Sequence, residues 1–279
     1  MIGNFLRFIR FSHTFFALPF ALGAMFVAAN GLPTPGLFAR VVLAMVFART
    51  AAMTFNRLTD WEIDKRNPRT EGRHKLVSKP FAVAAWALTS LLFLATTWFI
   101  NPLCFALSPV ALLLIFFYSF TKRFTDWAQL FLGLALSAAP VGAWLAVTGQ
   151  FALPPLVLAA AVLCWVAGFD IIYATQDYAV DRREGLRSMV VRLGIPRALT
   201  TATALHAAAL IGLLAFGISA QLGIIYFAGL ALVVAALVYE QLLARKGDLS
   251  AINTAFFQAN AAVSAIFVLS TLADQLASR

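Results

Sequence analysis

The stretch MTFNRLTDWEIDKRNPRTEGRHK (residues 53–75) decides how the chain is read. A long apolar run leads into it. Asn56, Asp60, Glu62 and Asp64 then appear in quick succession, followed by Lys65, Arg66, Arg69, Arg73 and Lys75. In a chain that is 62% hydrophobic and only 12% charged, such a switch marks a helix leaving an apolar medium and meeting water. A second stretch, YATQDYAVDRREGLRS (residues 173–188), has nearly the same design.

Working outward, the composition is that of a membrane protein. About 20 apolar residues are needed for a helix to cross the hydrocarbon core. Segments of that kind are read near residues 12–30, 37–56, 80–100, 102–120, 127–148, 153–175, 199–217, 220–241 and 251–273, with Asn101-Pro102 forming a turn between the third and fourth. The expectation is an all-α integral membrane protein of about nine spans, organised as one domain over residues 1–279. Pro19, Pro109 and Pro140 fall inside spans, where neighbouring groups can satisfy the carbonyls they free. The first span follows Arg7 and Arg10 like a signal peptide, but it is read as a retained span.

The cations set an orientation. With a cytoplasmic N-terminus, the cytoplasmic segments hold every Lys and Arg except Arg40, Arg49 and Arg279, while the opposite loops NGLPTPG and VTGQFALPP are short and nearly uncharged. This is the positive-inside pattern. It accounts for the net charge of +9 without nucleic acid, and nine spans put the C-terminus outside. Localisation in a prokaryotic inner membrane follows as the expectation. Cys104 and Cys164 both lie in apolar spans and read as small buried hydrophobes. His13, His74 and His206 show no ligand spacing. Glu240 reads as a helix-end charge and His206 as a hydrogen-bonded residue within the bundle.

Asn56, Asp60 and Asp64 are spaced i, i+4, i+8, which lines them along one helical face. Tyr173, Asp177 and Asp181 repeat that spacing. Each stripe ends an apolar span on the same side and runs into a basic loop. Two such stripes facing one another would gather four carboxylates, a hard oxygen set suited to Mg²⁺, which commonly combines a few carboxylates with waters and substrate phosphates. Arg69, Arg73, Arg182 and Arg183 then make sense as clamps for a polyanion bridged by the metal. The plainer reading is a solvated helix end with ion pairs. Against it, five of the 12 acids, Asp60, Glu62, Asp64, Asp177 and Asp181, lie in these two stripes. The echo between the stretches hints at an internal duplication, although their flanks hardly match.

These motifs resemble those of the UbiA superfamily of intramembrane aromatic prenyltransferases. NRLTDWEID is similar to its N-x-x-x-D-x-x-x-D motif and DYAVD to its D-x-x-x-D motif. RTEGR resembles its Arg-Thr-x-x-Arg element, giving Arg69 and Arg73, and YSFTKR its Y-x-x-x-K element, giving Tyr118 and Lys122. FLRFIRFSHTFFALP resembles the N-terminal pattern, with Arg10 in place of its arginine and Ser12-His13-Thr14 where Asp-Lys-Pro is commoner. FDIIYATQDYAVDRREGLRS is similar to the 4-hydroxybenzoate polyprenyltransferase branch. The resemblance implies nine helices around a central cavity, a prenyl diphosphate substrate and an aromatic acid acceptor. It implies Mg²⁺ on Asn56, Asp60, Asp64, Asp177 and Asp181, with Arg10, Arg69, Arg73, Tyr118 and Lys122 at the diphosphate.

Two charges lie deeper. Arg49 is seven residues before Asn56 and Asp170 seven before Asp177, about two turns further into the membrane. Ionisable groups there are expensive and mark a site or pathway. They either pair with each other, or, as the resemblance implies, Arg49 holds the acceptor's carboxylate while Asp170 orients it or takes the ring proton. Asp60, Asp177 and Asp170 are thus the candidate catalytic carboxylates. The expected activity is transfer of a polyprenyl group to 4-hydroxybenzoate in quinone synthesis. A naphthoate acceptor of menaquinone synthesis is the alternative within the class. A secondary transporter is the alternative outside it, although transporters more often break helices at mid-membrane.

Overall fold

The computed structural model describes residues 2–10, 14–246, 252–253 and 255–278. Among these there is no strand. In chain order the helices are α1 (Ile2–Phe8), α2 (Thr14–Ala28), α3 (Pro35–Thr59), α4 (Trp61–Arg66), α5 (Lys79–Trp98), α6 (Pro102–Thr121), α7 (Ala128–Thr148), α8 (Leu153–Ala174), α9 (Tyr178–Arg183), α10 (Met189–Leu193), α11 (Ile195–Ser219), α12 (Ile224–Ala244) and α13 (Asn260–Ala277). Eight segments are long and apolar enough to cross a membrane, and α2 adds a shorter apolar helix of 15 residues. His13 and Ser12, just before α2, lie outside the described residues, as does Arg279. The expected spans are thus all present as helices, so the protein is an all-α integral membrane protein.

The ends of these helices are written in local chemistry. Ser78 caps α5 by accepting from the Phe81 N–H at 3.4 Å, and Pro80 occupies its first turn. Asn101 accepts from Cys104 N at 2.8 Å and Pro102 begins α6, so Asn101-Pro102 is the expected turn. Gly149 closes α7 with φ +67, a left-handed C-terminal cap that glycine adopts without strain. The internal prolines Pro19, Pro109 and Pro140 sit within α2, α6 and α7 as expected. The last span differs from its expected bounds. A π turn over Ala255–Ala259 precedes α13, which runs on to Ala277.

The chain divides into two compact units: residues Met1–Thr14 with Pro35–Phe120, and Phe15–Thr34 with Thr121–Arg279. In the first, α3 packs along α5, with Ala44, Phe93 and Leu112 in one cluster and Phe8, Ile9, Trp61 and Ala82 in another. Arg40, one of the few cations outside the basic segments, donates to the Phe99 and Gly36 carbonyls. It neutralises the C-terminal end of α5, where the helix dipole favours a cation.

In the second unit α8 lies between α7 and α11, and α12 packs along α13. Phe20 stacks on Phe267 at 4.5 Å and lies 4.7 Å from Trp165 in a core that includes Phe216 and Tyr226. A Cβ on Gly133 would collide with the Leu163 carbonyl, so α7 and α8 approach through a residue with no side chain. His206 is buried and bonded to Gln241 at 2.9 Å, as expected for a residue within the bundle. Glu240 is not the solvated helix-end charge expected from its position. It is 0% exposed and accepts from Asn260 Nδ2 at 2.7 Å. The helix that supplies this donor is adjacent only through the packing of α12 on α13.

Candidate active site

The first acidic motif straddles a break in the chain. α3 ends at Thr59, and Asp60 adopts φ −95, ψ 12 before α4 begins. These angles lie in a sparsely populated region where active-site residues recur. The ladder nevertheless continues, with Asp60 N donating to Asn56 O at 3.0 Å and Asp64 N to Asp60 O at 2.7 Å. Asn56, Asp60 and Asp64 therefore keep the spacing of successive turns, as the sequence predicts. Asp60 is 3% exposed, and its carboxylate does not cap the helix it precedes.

The second motif repeats this design in the other unit. α8 ends at Ala174, a 3₁₀ turn covers Thr175–Asp177, and α9 follows. Asp177, at φ −97, ψ 0, stands in the same relation to α9 as Asp60 does to α4, and it too makes no side-chain cap. Both short helices read aromatic-x-x-Asp-basic-basic, WEIDKR and YAVDRR. The straight stripe through Tyr173, Asp177 and Asp181 is altered, however. A 3₁₀ turn over Thr175–Asp177, tighter than an α turn, interrupts the regular i, i+4, i+8 spacing between Tyr173 and Asp177.

Cations surround the first motif differently from the expectation. Arg73 NH1 bonds both oxygens of Asp64, at 3.1 and 3.3 Å, and Arg57 NH1 lies 3.8 Å from the same carboxylate. Arg73 is thus an ion-pair partner of the motif, whereas the sequence suggested only a clamp for a polyanion. Asp64 is 9% exposed, and a carboxylate so buried needs a paired cation. Burial, with Arg57 and Arg10 adding to it and Asp64 opposing, lowers the Arg73 pKa to about 9, so the group stays cationic at neutral pH.

The loop beyond α4 folds back on the helix. Thr70 Oγ1 donates to the Asp64 carbonyl at 3.0 Å, and Arg69 N donates to Asn67 Oδ1 at 2.9 Å. Arg10 follows α1 at φ +47 and is half-buried. Tyr118 lies in the last turn of α6, and Lys122 follows one residue beyond that helix. Arg49 lies on α3, with its Nε buried and without a hydrogen-bond partner among the described residues. Asp170 is half-buried on α8.

Two residues of this region escaped the motif reading. Arg57 donates to Asn56 Oδ1 at 3.3 Å and to the Phe8 carbonyl at 3.4 Å, tying α1 to the motif. Ser119 accepts from Asn56 Nδ2 at 3.4 Å. The Asn56 amide is thereby held from both ends. The sequence signal for Arg57 was its position beside Asn56. Ser119, a buried hydroxyl beside Tyr118, carried none. Among the described residues no group of three His, Cys, Asp or Glu side chains is close enough to hold a metal alone.

An all-helical membrane fold with two Asp-x-x-x-Asp motifs, each followed by basic residues, has the features of an intramembrane enzyme. The UbiA prenyltransferase family pattern matches residues 17–262, and the chain belongs to that family. It is 32% identical over 249 residues to a 4-hydroxybenzoate octaprenyltransferase of Nitrosospira multiformis, covering 88% of this chain and 86% of that one. It is 31% identical over 253 residues to the Marinobacter nauticus protein of the same name, covering 88% and 84%. Among solved structures, the apo structure of a UbiA homolog from Aeropyrum pernix K1 matches with TM-score 0.85 and 32% identity, over 94% of this chain and 98% of that one. A UbiA homolog from Archaeoglobus fulgidus, bound to GPP and Mg²⁺, matches in fold with TM-score 0.74 and 22% identity, over 98% and 99%.

Proposed function

We propose that this enzyme transfers a polyprenyl group from its diphosphate to the ring of 4-hydroxybenzoate, a step toward ubiquinone. The observation that carries this reading is identity of about one third to enzymes named for that reaction, sustained across 88% of the chain. Relatives named for that reaction favour it over the naphthoate and transporter alternatives.

The residue types suit a hard divalent cation: Asn56, Asp60 and Asp64 bring oxygen donors to successive turns, and Asp64 and the Asn56 amide would exchange their bonds to Arg73 and Arg57 for it. These residues, with Asp177 and Asp181, would hold Mg²⁺. Such an ion neutralises charge developing on a leaving diphosphate. Arg10, Arg69, Arg73, Tyr118 and Lys122 donate to the diphosphate oxygens, stabilising the same charge through hydrogen bonds. Arg73 bonds Asp64 through NH1 alone, so the other edge of its guanidinium can serve the substrate.

As the allylic C–O bond breaks, the ring carbon forms the new C–C bond and the ring proton leaves. Asp170, two turns deeper than Asp177, is the carboxylate assigned to that proton. Arg49 is assigned to the acceptor's carboxylate. The apolar spans exclude water, which would otherwise convert the allylic cation to an alcohol. The motifs face the cytoplasm of a prokaryotic inner membrane, in keeping with the distribution of Lys and Arg.

The test is an assay of purified protein with Mg²⁺, prenyl diphosphates of several lengths and a panel of aromatic acids. Metal-dependent release of diphosphate coupled to prenylated 4-hydroxybenzoate is expected. Turnover that is indifferent to 4-hydroxybenzoate, or that persists in excess chelator, overturns the proposal.

A further inference from the structure

The chain beyond the second acidic motif is stitched to the chain beyond α6. Gly185, at φ +66, turns the backbone after α9, and Leu186 N donates to the Asp181 carbonyl at 2.9 Å. The next residue, Arg187, then bonds twice across the unit. Its backbone N–H donates to the Lys122 carbonyl at 2.7 Å, and its NH1 donates to the Phe124 carbonyl at 2.9 Å. The Lys122–Phe124 turn is therefore held at both ends by one residue.

Further contacts fix the same register. Met189 N donates to Gln129 Oε1 at 3.2 Å, and Arg192 pairs with Asp126 at 3.0 Å while lying over the Trp127 ring at 5.9 Å. Ser188 caps α10 by accepting from Val191 N at 3.1 Å, so the stretch carrying these contacts is itself ordered.

We propose that Arg187 is a positioning residue that sets Lys122 at a fixed place relative to Asp177 and Asp181. The physical reason is leverage. Lys122 is the first residue past α6, where the helix gives way to a turn in which Phe124 N and Thr125 N both donate to the Thr121 carbonyl. A long side chain is useful to a diphosphate only if its root is fixed, since positioning supplies much of an enzyme's advantage. The Leu186–Asp181 bond and the two Arg187 bonds connect the root of Lys122 to the second motif through two consecutive residues. This inference rests on the assignment of Lys122 to the diphosphate.

The test is a double-mutant cycle in detergent-solubilised full-length enzyme, reading KM for the prenyl diphosphate, KM for the acceptor and kcat. Arg187→Ala removes the side-chain bond to Phe124 and keeps the backbone bond. The Phe124 carbonyl lies at an exposed site where water can take over, so the variant is expected to fold. KM for the prenyl diphosphate is expected to rise severalfold, less than the roughly tenfold or more that an unreplaced hydrogen bond from a charged donor is worth, with acceptor KM nearly unchanged. In a Lys122→Ala background the same substitution is expected to add nothing.

An equal rise in both backgrounds means Arg187 acts on its own, and overturns the proposal. So does an unchanged KM in Arg187→Ala alone when Lys122→Ala raises it. If Lys122→Ala itself leaves that KM unchanged, the assignment of Lys122 fails and the inference falls with it, a result distinct from the other two. Should Arg187→Ala not fold, Arg187→Gln in both backgrounds provides the same comparison.

Discussion

Arg49→Lys separates acceptor binding from diphosphate chemistry. Arg49 lies about two turns before Asn56 on α3, and its Nε is buried without a hydrogen-bond partner among the described residues. A buried donor left unsatisfied costs free energy, so an arriving carboxylate gains from it as well as from the charge. Lysine keeps the charge but loses the planar fork that engages both carboxylate oxygens. Loss of one such charge-assisted bond is worth about 1.5–3 kcal/mol, or roughly ten- to a hundredfold in acceptor KM. The assay varies 4-hydroxybenzoate at saturating prenyl diphosphate, then the reverse, and repeats both with a phenol lacking the carboxyl group. Acceptor KM should rise for the acid only, with KM for the prenyl diphosphate steady. An equal loss with the phenol, or a rise confined to the prenyl diphosphate, would refute the assignment.

Three further outcomes are expected. Asp60→Ala and Asp177→Ala should each yield folded protein with activity down roughly a hundredfold or more, checked by turnover at increasing Mg²⁺; near-normal rates would remove the role given to the paired motifs. Cysteines placed at 69, 122 and 187 should label from the cytoplasm of intact cells, and those at 31 and 149 only from the far side; labelling of 69 and 149 from one side breaks the proposed topology. Asp274→Ala should lower thermal stability, because Asp274 on α13 accepts from Gly223 N at 2.7 Å and Tyr226 N at 3.3 Å and so caps α12. A lost N-cap costs about 0.5–2 kcal/mol, read as a lower Tm in detergent with turnover per folded molecule retained; an unchanged Tm would show that the cap contributes nothing.

Much of this protein was legible in one dimension. Spans follow from the length of apolar runs, because the bilayer fixes how many residues a helix needs. The proposed orientation rests on where Lys and Arg sit, and the labelling experiment tests it. Turns such as Asn101-Pro102 and the cap at Ser78 are local chemistry, settled by residues within a few positions. The i, i+4, i+8 pattern of Asn56, Asp60 and Asp64 survived even a break at Asp60, because the hydrogen-bond ladder runs through it.

What packing alone decided lies between residues far apart in the chain. Nothing near Asp64 in sequence announces that Arg73 NH1 will grip both its oxygens, nor that Arg57 will reach back to the Phe8 carbonyl. Glu240 looked like a solvated helix end until α13 brought Asn260 against it, and Asp274 gives no sign of capping a helix some fifty residues earlier. Side-chain charge is visible in the sequence, but the partner that makes a buried charge tolerable is supplied by whichever helix packs beside it. Apolar helices are interchangeable in composition, so only the tertiary structure selects that neighbour.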